Sequence, residues 1–71
     1  PQDIAVRKMI SDHNLSKVKV FSFDKSVLKV RAYLPFGGLF HIAADVSAIV
    51  DAKGNYKITS VNWIVSFTPI N

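Results

Sequence analysis

The residues with chemical potential in this chain are Pro1, His13, Tyr33, His41, Asp45 and Ser66, and their spacing gives each little to work with. A metal site needs three or four ligands within reach. His41 and Asp45 lie four residues apart in a segment of strand character, so their Cα atoms stand about 13 Å apart at the usual rise. They cannot share an ion directly. His13 follows Asp12 at the end of a helical segment, where an imidazole partners the negative end of the helix dipole. Pro1 carries a secondary amine that could serve as a general base, but a catalytic proline of that kind opens a buried strand, and this one precedes a helix. His41, Tyr33 and Ser66 form a polar trio across a sheet, with no second carboxylate near Asp45 for paired acid–base work. Gly37-Gly38 joins two strands rather than a strand and a helix, so it is no phosphate cradle. The absence of cysteine removes disulfides, thiolate zinc sites and a cysteine nucleophile. Asn14-Leu15-Ser16 matches the N-glycosylation pattern, which matters only in a secreted eukaryotic chain. No catalytic, metal-binding or cofactor-binding residue is assigned, and a non-enzymatic role is expected.

The elements that position these residues follow from periodicity. A chain of 71 residues is expected to form one domain, and at this size it buries only roughly 60% of the surface its unfolded form exposes. An apolar fraction of 49%, with three glycines and three prolines, offsets that small size. Residues 3–13 read as a helix. Asp3 is the expected N-cap, Ile4, Val6, Met9, Ile10 and His13 form the apolar stripe, and Asn14 is the left-handed terminator. From Lys17 the period becomes two. Strands are expected at 17–23, 27–34, 39–50 and 56–67, joined by Asp24-Lys25-Ser26, by Pro35-Phe36-Gly37-Gly38 and by a loop at 51–55 with Gly54 in the αL position. The fold class is α+β: one N-terminal helix packed on a curved four-stranded antiparallel meander.

Side-chain alternation suggests the registers. Phe40, Ile42, Ala44, Val46, Ala48 and Val50 share an all-apolar face, which should meet the helix, together with Leu28, Val30, Ala32 and Leu34 of the strand before. Pairing Leu34 with Phe40 puts Lys29 opposite Asp45, Arg31 opposite Ala43 and Tyr33 opposite His41. In the last strand, Tyr56 and Ile58 have one parity and Val61, Trp63, Val65 and Phe67 the other, so one extra residue near Thr59-Ser60 must form a β-bulge. Trp63 then lands opposite Ala44, Val65 opposite Ile42 and Phe67 opposite Phe40. Trp63 is expected to be buried against Val6, Met9 and Ile10. The first strand has two candidate orientations, with Val18 and Val20 inward or with Phe21 and Phe23 inward.

This order, a helix followed by four antiparallel strands with long bent third and fourth strands, resembles the cystatin-like architecture and the sheet half of nuclear-transport-factor-like folds. The Gln-Val-Val-Ala-Gly loop of inhibitory cystatins is absent, so the resemblance implies a fold and no protease inhibition.

Function is expected to reside on the sheet. One helix covers one side of four strands and leaves an outer face bearing Lys29, Arg31, Tyr33, His41, Ile49 and Ile64, which form the candidate partner-binding set. A net charge of +4 permits anionic partners without requiring them. The leading expectation is a binding or assembly module that self-associates, face to face or edge to edge, or meets another protein. The alternatives are carriage of an apolar small molecule or lipid between helix and sheet, and single-stranded nucleic-acid binding by the basic and aromatic outer face. No apolar run approaches the ~20 residues of a membrane-spanning helix, so no membrane span is expected.

Overall fold

Helix α1 (Gln2–His13) begins earlier than the capping pattern suggests. The computed structural model describes the backbone of residues 1–69 and the side chains of residues 1–64. Pro1 occupies the N-cap position without a side-chain hydrogen bond, and its carbonyl accepts the N–H of Ala5 at 3.0 Å. Asp3 is therefore not the cap. It sits in the first turn, where its charge still complements the helix dipole. Asn14 ends the helix in the left-handed region, at φ 52° and ψ 48°, as expected. The helix docks through Ala5 and Met9, one turn apart and both buried, while Ile4 and Ile10 of the anticipated stripe are exposed. The small side chain of Ala5 lets the helix approach the sheet, and this turns the larger isoleucines outward.

Four strands follow, β1 (Lys17–Asp24), β2 (Val27–Phe36), β3 (Phe40–Val50) and β4 (Tyr56–Pro69), paired antiparallel in chain order. The expected architecture of one helix on a four-stranded meander is the one observed among the described residues. The inner face is a ladder of apolar rungs: Phe23, Leu28, Ala48 and Ile58; then Val20, Val30, Val46 and Val61; then Val18, Ala32, Ala44 and Trp63. Leu28, Val30, Ala44, Ala48 and Val50 are at most 2% exposed and form the core with Ala5 and Met9.

The β4 bulge falls where the parity break requires it. Ser47 pairs with Ser60 and Ala48 with Ile58, so Thr59 is the extra residue, and its hydroxyl donates to the Ser47 carbonyl at 3.2 Å. A second bulge, at Phe21, resolves the orientation of β1. Val20 pairs with Val30 but Ser22 with Lys29, so Val18, Val20 and Phe23 all pack against the core while Phe21 points outward, 49% exposed.

The β2–β3 register differs from expectation by two residues. Arg31, not Lys29, lies opposite Asp45; Lys29 faces Ser47; Tyr33 faces Ala43; and Leu34 faces Ile42. A shift of two preserves which side chains share a face and changes only which ones meet. Its cause is the β2–β3 connection. β2 continues through Pro35 and Phe36, Phe36 pairs with Phe40, and the loop shrinks to Gly37-Gly38-Leu39 with both glycines at positive φ. Proline is tolerated there because β1 starts opposite Tyr33, and beyond that rung β2 is an edge strand that needs no donor on its open side. At the far end of β4 a further register shift pairs Phe40 with Pro69, so Phe67 is not opposite Phe40. The side chains of Val65, Ser66 and Phe67, and the expectations resting on them, lie outside the described residues.

Trp63 is opposite Ala44 as expected, yet it is not buried. It is 55% exposed. A 12-residue helix is about 18 Å long, whereas a strand of 11 residues such as β3 spans about 36 Å. The helix covers the half of the inner face around Leu28 and Ala48. The rungs from Trp63 to Phe36 and Phe40 extend past it, and Phe36 and Phe40 are 52% and 41% exposed.

Candidate interaction surfaces

The outer face contains the six residues singled out from sequence, and the structure engages three of them with neighbours in the chain. The Arg31 guanidinium donates two hydrogen bonds to the Asp45 carboxylate, Nε to Oδ1 at 2.8 Å and an Nη to Oδ2 at 3.2 Å. This bidentate pairing holds Asp45 below its ordinary value of 3.8 and raises Arg31, with desolvation opposing both. Arg31 also lies over the Phe21 ring at 5.3 Å, and Lys19 approaches the same ring at 5.8 Å. Lys17 sits 4.6 Å over the Tyr33 ring, within cation–π range, and Tyr33 meets His41 edge to face at 4.9 Å between centroids. The Nδ1 of His41 is buried and has no hydrogen-bond partner among the described residues. Ile64 is half-buried beside Ala43, while Lys29 and Ile49 are exposed. Three of the six side chains, Arg31, Tyr33 and His41, are thus engaged within the chain, and the ring faces that could stack on a nucleotide base already carry the chain's own cations.

The inner face presents a different surface, which the sequence raised only as an alternative place for an apolar ligand and for which it supplied no candidate residues. A groove of about 250 Å³ opens beside the helix. Ala32 and Ala44 lie at its floor with Val30 and Val46. Met9, His13 and Leu15 line one side, and Val61 and Trp63 the other. His13 is the one titratable side chain among these residues. The groove exists because the rung Val18–Ala32–Ala44–Trp63 places its smallest residues at the centre of the sheet, where the helix has ended. The signal was present in the sequence as two alanines on adjacent strands, but it becomes a groove only once the reach of the helix is known.

The helix is held on this face by polar contacts to the β3–β4 hairpin. Lys8 donates to the Asn55 amide oxygen at 2.6 Å, and the Tyr56 hydroxyl donates to Asp12 at 2.7 Å. Burial, followed by this hydrogen bond to a carboxylate, pushes the Tyr56 phenol up to about 12. Within the hairpin, Asp51 accepts the backbone N–H groups of Lys53 and Asn55, each at 2.9 Å, and these bonds hold its carboxyl below the usual range. Because Asp45 and Asp51 have depressed folded-state values, their contributions are present above the unfolded carboxylate range and lost as pH falls through the folded values. Tyr56 has the opposite sign at the other end, since its contribution is present below the unfolded value and fades as pH rises from 10 toward 12. Chemical denaturation as a function of pH is expected to give constant stability at neutral pH and a fall below about pH 4. Asp45→Asn and Asp51→Asn should each flatten the acid limb, and an unchanged acid limb in both variants would contradict these assignments.

Among the described residues no three His, Cys, Asp or Glu side chains gather as a metal site would require, and no helix is long and apolar enough to cross a membrane. Pro1 is exposed at the helix start, and Ser16 uses its hydroxyl to donate to the Tyr33 carbonyl at 2.9 Å. No family model, curated protein or solved structure matches this chain.

Proposed function

We propose that this chain is a non-enzymatic binding and assembly module that works through its β-sheet, and that the inner, concave face is its principal contact surface. The observation that carries this reading is the open groove beside the helix, with Trp63 standing 55% exposed over an alanine floor. Apolar surface left in water on a chain this small is unfavourable by roughly 25 cal/mol for each Å², and a partner that covers it recovers that free energy. The groove is smaller than the ~300 Å³ or more of a typical small-molecule pocket, so it suits an apolar side chain or short tail presented by a partner better than a whole engulfed ligand. Carriage of a small apolar molecule is the second reading, and the same groove favours it. The outer set of Lys29, Arg31, Tyr33, His41, Ile49 and Ile64 is the lesser contact surface, because Arg31, Tyr33 and His41 are already engaged by neighbours within the chain. Single-stranded nucleic acid ranks below both for the same reason.

The test is a titration with an environment-sensitive apolar dye, read by dye emission and by the fluorescence of Trp63. Ala44→Leu fills the groove floor and is expected to weaken dye binding at least tenfold. Ala32→Leu should do the same, and both variants must first be shown to melt cooperatively. Lys29→Ala and Ile49→Ser, on the outer face, are expected to leave binding unchanged. Equal binding by all four variants would overturn the proposal.

A further inference from the structure

The geometry points to a second copy of this chain as the partner, paired antiparallel through the open edge of β4 about a two-fold axis at Asn62. This rests on the reading of the chain as a module acting through its sheet, and it specifies the partner.

The two edges of the sheet are not alike. β1 carries Lys17, Lys19 and Asp24 and is bulged at Phe21, and charge and bulging are two devices that keep an edge from pairing with another chain. β4 lacks the charge along most of its length. From Ile58 to Pro69 it contains no charged residue, in a chain of net charge +4. Its two register shifts also leave a regular stretch between them. From Ser60 to Ile64 every residue pairs in step with β3, with Thr59 bulged on one side and the shift between Ala43 and His41 on the other. Asn62 is the middle residue of that stretch.

A two-fold axis through Asn62 makes this stretch self-complementary. On the outer face Asn62 meets its own copy, and an amide side chain both donates and accepts. On the inner face Val61 meets the partner's Trp63, and Trp63 meets the partner's Val61. Aromatic and β-branched residues make favourable cross-strand pairs, and Val61 and Trp63 are 45% and 55% exposed without a partner. Electrostatics favour this edge as well. The two Lys57 side chains would lie about 33 Å apart along the paired strands, well beyond a screening length of ~8–10 Å, whereas pairing through β1 would bring Lys17 and Lys19 of both copies together. The molecule also has surface to cover: its 4817 Å² exceeds by about a tenth the roughly 4,400 Å² of a compact monomer of 7.9 kDa. In the paired form the two inner faces become one continuous concave surface, and the partner's Val61 and Trp63 extend the wall of each groove.

The chain contains no cysteine, so a single introduced one reports proximity cleanly. Directly opposed residues of an antiparallel pair have Cα atoms about 4.5–5.5 Å apart, within the ~4.4–6.8 Å a disulfide spans. Asn62→Cys is expected to give a covalent dimer rapidly on mild oxidation, and Ser22→Cys on the β1 edge to remain monomeric. Asn62→Lys places two cations on the axis while keeping Asp45 as a cross-strand neighbour, so the monomer should stay folded and the dimer dissociation constant should rise at least tenfold by sedimentation. A native chain that sediments as a monomer at ~100 μM, where a specific interface of standard size should hold it together, overturns the pairing. So does a dimer that Asn62→Lys leaves intact. A monomer that still binds the apolar dye removes this pairing and keeps the groove reading, whereas rapid cross-linking through Asn62→Cys without dye binding supports the pairing and removes the groove reading.

Discussion

Gly54→Ala is expected to destabilise the fold by about 2–4 kcal/mol, through two effects that add. Gly54 lies in the β3–β4 hairpin at φ +85°, where an L-residue loses roughly 1–2 kcal/mol. It is also buried under the start of the helix. A Cβ built there would stand 2.5 Å from the Cβ and Cγ2 of Ile4 and 3.2 Å from the Pro1 carbonyl oxygen. The Ile4 Cβ is fixed to the helix backbone, so no side-chain rotation relieves the clash, and the helix must move off the hairpin. A domain of 71 residues has only about 4–10 kcal/mol of stability to lose. Gly38→Ala is the internal control. Gly38 has a similar φ, +80°, but nothing within 4 Å of the added atom, so it should show the conformational penalty alone. Urea denaturation of both variants separates the two effects. Equal losses would mean that the helix N-terminus does not rest on the hairpin.

Gly54 also shows what the sequence could express. Its positive φ was legible, because a glycine late in a five-residue hairpin loop has few other uses. The helix lying on it was not, because that contact depends on where α1 docks. The same division holds elsewhere. The Thr59 bulge was legible because Tyr56 and Ile58 break parity with Val61 and Trp63. The Phe21 bulge is written in the same way, with Val18 and Val20 of one parity and Phe23 of the other, yet two competing orientations of a straight strand obscured it. The β2–β3 register was not legible. Lys29 and Arg31 are equally good partners for Asp45 by charge, and the choice is made by the loop, whose length depends on Pro35 being harmless beyond the end of β1. The groove was least legible of all, because it is set by how far one helix reaches across a sheet and not by any local pattern.

The reach of the helix leads to the second large effect. Leu28→Ala is expected to cost about 2–5 kcal/mol, the range for deleting a fully buried leucine from a packed core. Leu28 is 0% exposed and lies in the rung between Phe23 and Ala48, on the half of the sheet that the helix covers. Trp63→Ala removes far more side chain but should cost only about 1–2 kcal/mol, since less than half of the indole leaves water on folding. Alternation alone would rank them the other way, because the largest apolar residue facing a small one looks like the centre of a core. Trp63 pairs with Ala44 at the side of an open groove, so truncating it widens a space already open to solvent and creates no enclosed cavity. Two measurements check the ranking. Denaturation should show Leu28→Ala as the more damaging change, and the folded monomer, obtained as Asn62→Lys, should emit near the wavelength of a water-exposed indole, shifting to the blue when the groove is filled. A buried emission spectrum in the monomer, or a Trp63→Ala loss exceeding that of Leu28→Ala, would mean that the groove is closed in solution and that the inner face is core along its whole length.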